Sequence, residues 1–247
     1  MMKALRNNPM FFTQHESDIR CEWNGMGVTQ LILNSDVVVI VDVLSFSTCV
    51  DIATSNGAEI YPYPYKDESA ITYAHSIGAL LANVQREFVT GYSLSPTSLL
   101  DIPSKTRLVL PSPNGATLSL ATQNVPTIAG CLRNAKAVAD MLPKFGARIS
   151  LIPAGERWPD GSLRVALEDL IGVGAIIQYL KGTRSFEAQA AEAAFLHFQH
   201  NLAVCVQQSG SGKELIGRGF SRDVDLAVAF NESNCVPLLR NGAYSRL

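Results

Sequence analysis

The sequence is short of charge. Only 17% of its 247 residues are Asp, Glu, Lys or Arg, against roughly 25% in an average globular protein. The formal net charge is −2, so there is neither the basic footprint of a nucleic-acid binder nor an acidic solvating tail. Hydrophobic residues make up 47% of the chain, which excludes disorder. Long apolar runs are also lacking. The stretch from Leu108 to Leu132 carries no charge, but Pro111, Pro113, Asn124 and Pro126 interrupt it, and a membrane-spanning helix needs about 20 predominantly apolar residues. No apolar segment follows Lys3 and Arg6 before Pro9, so no secretory signal is expected.

Paired cysteines are missing as well. Cys21, Cys49, Cys131, Cys205 and Cys235 are odd in number, far apart and without a CxxC, which predicts a reduced, cytoplasmic chain. None of His15, His75, His197 and His200 lies near a predicted strand end, so a Ser/His/Asp or Cys/His arrangement has little support. Neither GxxxxGK[ST] nor a GxGxxG after a strand occurs, which counts against those two modes of nucleotide binding.

What is present reads as α/β. The run at 36–44, DVVVIVDVL, suits a strand buried on both faces, and residues 45–55 suit a helix stopped by Asn56-Gly57. Further strands are expected at Glu59–Tyr63, Arg107–Leu110, Thr127–Gly130 and Arg148–Pro153, with helices at Lys66–Leu81, Ala116–Gln123 and Asn134–Leu142. Such alternation implies βα units, a mainly parallel sheet flanked by helices, and ligands at the carboxyl ends of the strands. The C-terminal part is predicted to be helical over Arg164–Lys181, Phe186–Gln207 and Asp223–Phe230. A Ser-Gly-Ser-Gly break at 209–212 and a last short strand at Cys235–Leu239 complete it. The first 30 residues read as irregular, and the whole of 1–247 as one domain. The apolar 164–181 and alanine-rich 186–207 helices are candidates for a homodimer interface.

Candidate chemistry collects at the strand ends. Asp42 follows five apolar residues and is either a ligand-facing acid or a cap for the next helix. The loop Ser112-Pro113-Asn114-Gly115 opens a helix and offers an anion cradle, although Asn-Gly is also an ordinary turn. Arg133 is suited to bidentate pairing with a phosphate, sulfonate or carboxylate. Cys131 beside it is either a small buried residue or a nucleophile of lowered pKa. The densest segment runs from Gly155, Glu156 and Arg157 to Glu168 and Asp169. Those last two acids either complement a helix dipole or face inward to a cation or an arginine. Hard oxygen ligands with few His or Cys nearby favour Mg²⁺ over zinc.

Taken together, the motifs resemble the 2-phosphosulfolactate phosphatase family, the phosphatase of coenzyme M biosynthesis and its bacterial relatives. The matching pieces are VDVLSFST at 41–48, SPNGA at 112–116, AGCLRNA at 129–135 and PAGERWPDGSLRVALEDLIGVGAI at 153–176. Weaker matches are SGKELIGRGFSRDVDLAVAF at 211–230 and VPLL at 236–239. The resemblance implies a Mg²⁺-dependent phosphomonoesterase acting on (R)-2-phospho-3-sulfolactate or a related small phosphorylated organic acid, with no nucleic-acid or membrane partner. Asp42, Asn114, Arg133, Asn134, Glu156, Glu168 and Asp169 fall on the family's motif positions. The expected roles are catalysis by Asp42, Glu156, Arg133 and Arg157, substrate binding by Ser112, Asn114, Gly115 and Asn134, and metal binding by Asp42, Glu156, Glu168 and Asp169. One position departs: where the family typically reads VIDVLRAT, this chain has Ser45 in place of the arginine. Arg133 or Arg157 is expected to supply that charge, and the alternative is a non-catalytic relative that binds phospho- or sulfo-carboxylates.

Overall fold

A run of β-branched residues can be buried on both faces only if helices cover both sides of the sheet. In the computed structural model, which describes residues 10–83, 85–86 and 91–247, that run is β2 (Val37–Val41), every residue of it buried. It is preceded by β1 (Ile19–Cys21) and α1 (Asn24–Leu31), and followed by α2 (Phe46–Ser55), β3 (Glu59–Tyr63), α3 (Glu68–Ser76) and β4 (Leu80–Leu81). Next come β5 (Arg107–Pro111), α4 (Gly115–Ala121), β6 (Thr127–Gly130), α5 (Ala135–Met141) and β7 (Ile149–Pro153). A two-stranded ribbon of β8 (Glu156–Arg157) and β9 (Leu163–Arg164) leads into α6 (Leu167–Ile177), α7 (Phe186–Phe198), α8 (Leu202–Gln208), α9 (Gly210–Gly217) and α10 (Ser221–Ala227). The described chain closes with β10 (Pro237–Arg240) and β11 (Ala243–Arg246).

The main sheet has nine strands in the order β1-β7-β2-β6-β10-β11-β3-β5-β4. Two parallel groups, β1-β7-β2-β6 and β3-β5-β4, are joined by the β10–β11 hairpin, which pairs antiparallel on both sides. The fold is thus the expected α/β sheet flanked by helices, but mixed, with its last hairpin spliced into the middle. Only one strand was expected there. Asn241 and Gly242, with φ of 51° and 82°, form the two-residue turn between the paired Arg240 and Ala243. Asn-Gly favours this hairpin turn because both residues tolerate positive φ.

Several boundaries moved. The first 30 residues are more ordered than expected, since β1 pairs with β7 and α1 packs on the sheet; residues 1–9 lie outside the described chain. The predicted helix 66–81 divides into α3 and the edge strand β4, and 186–207 into α7 and α8. The Ser-Gly-Ser-Gly segment is a helix start and not a break: Ser209 Oγ accepts from Gly212 N at 3.1 Å and caps α9. Serine followed by small residues satisfies the first free amides of a helix, and its sequence resembles that of a linker.

The small residues of the C-terminal helices serve packing within the chain. A Cβ on Gly174 of α6 would lie 2.0 Å from the Ala191 carbonyl oxygen of α7, so the two helices meet backbone to backbone. Ala188 and Ala191 are buried there, whereas Phe186 and Val204 remain exposed. Among the described residues no helix is long and apolar enough to cross a membrane.

Candidate active site

The turn after β2 is stitched by its own hydroxyls. Ser47 Oγ donates to the Ile40 carbonyl at 3.0 Å and accepts from Asp42 N at 3.0 Å, while Thr48 Oγ1 donates to the Val43 carbonyl at 2.8 Å. These bonds account for the Ser and Thr in the 41–48 motif, because a turn this buried must satisfy its backbone internally. The peptide between Leu44 and Ser45 is cis.

Asp42 is 6% exposed. Its Oδ1 accepts from Phe46 N at 3.2 Å, and its Oδ2 from Gly115 N at 2.9 Å. Asp42 therefore braces the turn that opens α2 and also lines a cavity. Gly115 is required at this point because a Cβ there would lie 2.3 Å from the Phe46 ring and 2.8 Å from Asp42 Oδ2. The loop after β5 meets the loop after β7 through Asn114, whose Nδ2 donates to Glu156 Oε2 at 2.9 Å. Asp42, Ser112, Asn114 and Glu156 thus line one wall of a cavity of about 460 Å³. A larger cavity of about 560 Å³ lies at the start of β6, lined by Ser119, Gln123, Leu239 and Arg240. It contains no carboxylate, so the chemistry selects the smaller one.

Four carboxylates share this region. Burial, above all, raises the Asp42 carboxyl, against the lowering effect of its two amide partners; the charge of Glu168 adds to the rise. Burial and then Asp42 push Glu156 up to about 7. Asp169 is raised well above the usual range by burial, Asp42 and Glu168. It is also a clamp between two strand-end loops, accepting from Val43 N at 2.7 Å and Gly155 N at 2.9 Å. Glu168 is 2% exposed, and among the described residues no hydrogen bond reaches its carboxylate. Carboxylates crowded together in this way, one of them without a donor, fit a nearby cation. Among the described residues no three His, Cys, Asp or Glu side chains converge closely enough to chelate a metal by themselves. Mg²⁺, however, is ordinarily held by one or two carboxylates with water and phosphoryl oxygens. Asp42 and Glu156 are the pair that faces the cavity.

Other predicted residues lie elsewhere. Arg133 turns away from the cavity: its Nε pairs with Asp51 Oδ2 at 3.0 Å and its Nη1 donates to the Leu226 carbonyl at 3.2 Å, tying α2 to α10. Arg157 neighbours Glu156 on β8, but adjacent strand residues face opposite ways. It points outward, with Nη1 3.3 Å from the Gly161 carbonyl. Asn134 is fully buried and braces its own turn, accepting from Cys131 N and donating to the Ala129 carbonyl. Burial raises the Cys131 thiol, the reverse of what a thiolate nucleophile needs. Gly155, at φ +67°, admits the neighbouring strand, since a Cβ there would be 2.5 Å from Leu163 Cδ1.

The basic part of the cavity lining was missed by sequence reasoning. It holds Lys66, Arg86 and Arg218. Ser211, Glu214, Leu215 and Arg218 come from one face of α9 and the residue just beyond it, at the i, i+3, i+4, i+7 spacing of a helix stripe. Arg86 Nη2 donates to Ser45 Oγ at 2.9 Å. A guanidinium therefore does stand beside Ser45, and it comes from neither Arg133 nor Arg157. Arg86 lies between predicted elements and in no motif, and Lys66 only opens the predicted 66–81 helix; a helical stripe across 211–218, within the 211–230 match, was the one legible signal.

A family model described as 2-phosphosulpholactate phosphatase matches residues 28–242. The chain is 34% identical over 209 residues to the probable 2-phosphosulfolactate phosphatase of Carboxydothermus hydrogenoformans, covering 81% of this chain and 84% of that protein. It is 28% identical over 212 residues to the 2-phosphosulfolactate phosphatase of Methanothermobacter thermautotrophicus, covering 84% and 88%. The corresponding figures for the Methanocaldococcus jannaschii enzyme are 26% over 215 residues, 83% and 89%. The match includes the loops that carry Asp42, Asn114 and Glu156, and the chain belongs to the 2-phosphosulfolactate phosphatase family.

Proposed function

We propose that this chain is a Mg²⁺-dependent phosphomonoesterase that converts a small 2-phospho acid, (R)-2-phospho-3-sulfolactate or a close relative, to the 2-hydroxy acid and phosphate. The observation that carries the reading is the wall on which Asp42 and Glu156 face a cavity and are joined through the Gly115 amide and the Asn114 side chain. Asp42 and Glu156 would hold the cation. When bound, Mg²⁺ supplies charge neutralisation of the phosphoryl oxygens during transfer. Asn114 is oriented by Glu156 and has a second amide hydrogen to offer a phosphoryl oxygen, with the Ser112 hydroxyl beside it. Lys66, Arg86 and Arg218 give the cavity lining the positive charge that a multiply anionic substrate requires.

Phosphate release from a panel of 2-phospho acids, with Mg²⁺ and with chelator, tests this reading. The expected result is turnover that disappears on chelation and returns with Mg²⁺. Equal rates with and without chelator across the panel would overturn it. Thermal stabilisation by phospho- or sulfo-carboxylates without turnover would instead establish a binding relative.

A pH dependence follows from the carboxylates. Glu156 titrates near 4.5 when unfolded and at about 7 in the folded, cation-free protein. A folded pKa above the unfolded one gives stability that is fully present below about pH 4.5 and is lost as pH rises through about 7. Cation-free protein should therefore melt lower at pH 8 than at pH 5.5, by on the order of 5 °C. Mg²⁺ should restore Tm at pH 8 and change it less at pH 5.5, because binding displaces the proton. Thermal unfolding in chelator and in Mg²⁺ at the two pH values checks both signs.

A further inference from the structure

Arg86 is held more tightly than a solvent-facing arginine. Its side chain is 10% exposed, its Nη2 donates to Ser45 Oγ, and the guanidinium stacks over Phe220 at 5.4 Å from the ring centroid. Asp223 lies behind it. Oδ1 of Asp223 accepts from Ser95 Oγ at 2.7 Å, Thr97 Oγ1 at 2.7 Å and Thr97 N at 3.1 Å. Its Oδ2 faces Arg86 Nη1 at 3.6 Å, too long for a hydrogen bond. Both Arg86 Nη1 and Asp223 Oδ2 are buried without a hydrogen-bond partner. The guanidinium is thus fixed on the cavity lining, with Nη1 turned to Asp223 and Nη2 to Ser45, and the donor hydrogens these leave over are paired only when something polar arrives.

We propose that Arg86 is the specificity-determining cation of this cavity, receiving the acidic group on the substrate's carbon skeleton, a carboxylate or sulfonate, and that Asp223 is the residue that positions it. The proposal rests on the phosphatase reading and deepens it. The wall of Asp42, Glu156, Ser112 and Asn114 takes the phosphoryl group. An anionic arm on the same small molecule then needs a cation on the same cavity lining, where Arg86 stands and a guanidinium suits two oxygens better than an ammonium does. Lys66 forms no ion pair among the described residues, and Arg218 is partly offset by Glu214 at 3.3 Å. Arg218 also lies over Phe220, at 5.8 Å, but both its side chain and that of Glu214 are more than half exposed, whereas Arg86 is 10% exposed and backed by the buried Asp223.

The test compares two esters of equal size, 2-phospholactate and isopropyl phosphate, in which a methyl group replaces the carboxylate. With Mg²⁺ present, the wild type should prefer 2-phospholactate in kcat/KM. Arg86→Gln should reduce that preference by about 30-fold or more, chiefly through KM, because a site built around an anion rejects its absence. Arg86→Lys should keep part of the preference. Asp223→Asn should reduce it by about tenfold and add nothing to Arg86→Gln in the double variant, since it acts through the same guanidinium. A preference unchanged within about threefold, or an equal fall for both esters, would overturn the proposal, the latter by making Arg86 a phosphoryl or purely structural contact. If the wild type hydrolyses neither ester, the wider panel of 2-phospho acids decides the phosphatase reading, and calorimetric titration with malonate in the absence of Mg²⁺ decides this one separately. Binding at least about tenfold weaker in Arg86→Gln sustains it, and equal binding ends it.

Discussion

Asp42→Asn is expected to lower kcat/KM for a 2-phospho acid by about a thousandfold, on the scale of losing a charge that positions the transferred group. The protein should remain folded. Asparagine keeps one carbonyl oxygen for either Phe46 N or Gly115 N, the two amides Asp42 now satisfies. Against the lost hydrogen bond stands the relief of a buried carboxylate whose ionisation is already opposed by burial and by Glu168. The Tm of the cation-free variant should therefore stay within a few degrees of wild type, while its response to Mg²⁺ is largely lost. Steady-state phosphate release and thermal unfolding with and without Mg²⁺ measure both quantities. An activity within tenfold of wild type would remove Asp42 from the reacting centre and leave it a brace of the turn that opens α2.

Asp169→Ala should be the most destabilising single change in the site. It leaves Val43 N and Gly155 N without their acceptor, and each buried unsatisfied amide costs about 1–3 kcal/mol. A loss of roughly 3 kcal/mol lowers Tm by about 6–12 °C in a chain of this size. Activity should fall too, since those amides fix the loops that carry Asp42 and Glu156. Glu168→Gln supplies the contrast. Its carboxylate contributes repulsion to Asp42, Glu156 and Asp169, so neutralising it should raise the Tm of cation-free protein. If Asp169→Ala behaved in the same way, Asp169 would act as a member of an acidic cluster and not as a clamp. Thermal melts of both variants in chelator separate the two cases.

Much of the scaffold is legible in the chain, for identifiable reasons. The fully buried run Val37–Val41 has no polar residue to hide, so its pattern points directly to a central strand. Strand-end loops bearing Asp42, Asn114 and Glu156 could be picked out because ligands of such sheets gather there. Arg133 and Asn134 met the same criterion and nevertheless face inward, because Asp51 and the carbonyls of Ala129 and Leu226 offered buried partners. Local sequence cannot show which of two available partners a side chain turns to.

What the sequence by itself determined is the class of sheet, the order of its βα units and the loops in which the acids would be found. All of these follow from apolar periodicity and from turn residues acting over a few positions. Only the tertiary structure decided the basic part of the cavity lining, where Lys66, Arg86 and Arg218 converge from three separate segments. It likewise decided that Arg86 stands beside Ser45 with Asp223 behind it, and that the last hairpin joins the two halves of the sheet. These are contacts between residues 20 to more than 130 positions apart. Their free energy comes from the burial of whole elements and not from any local preference of the residues that meet.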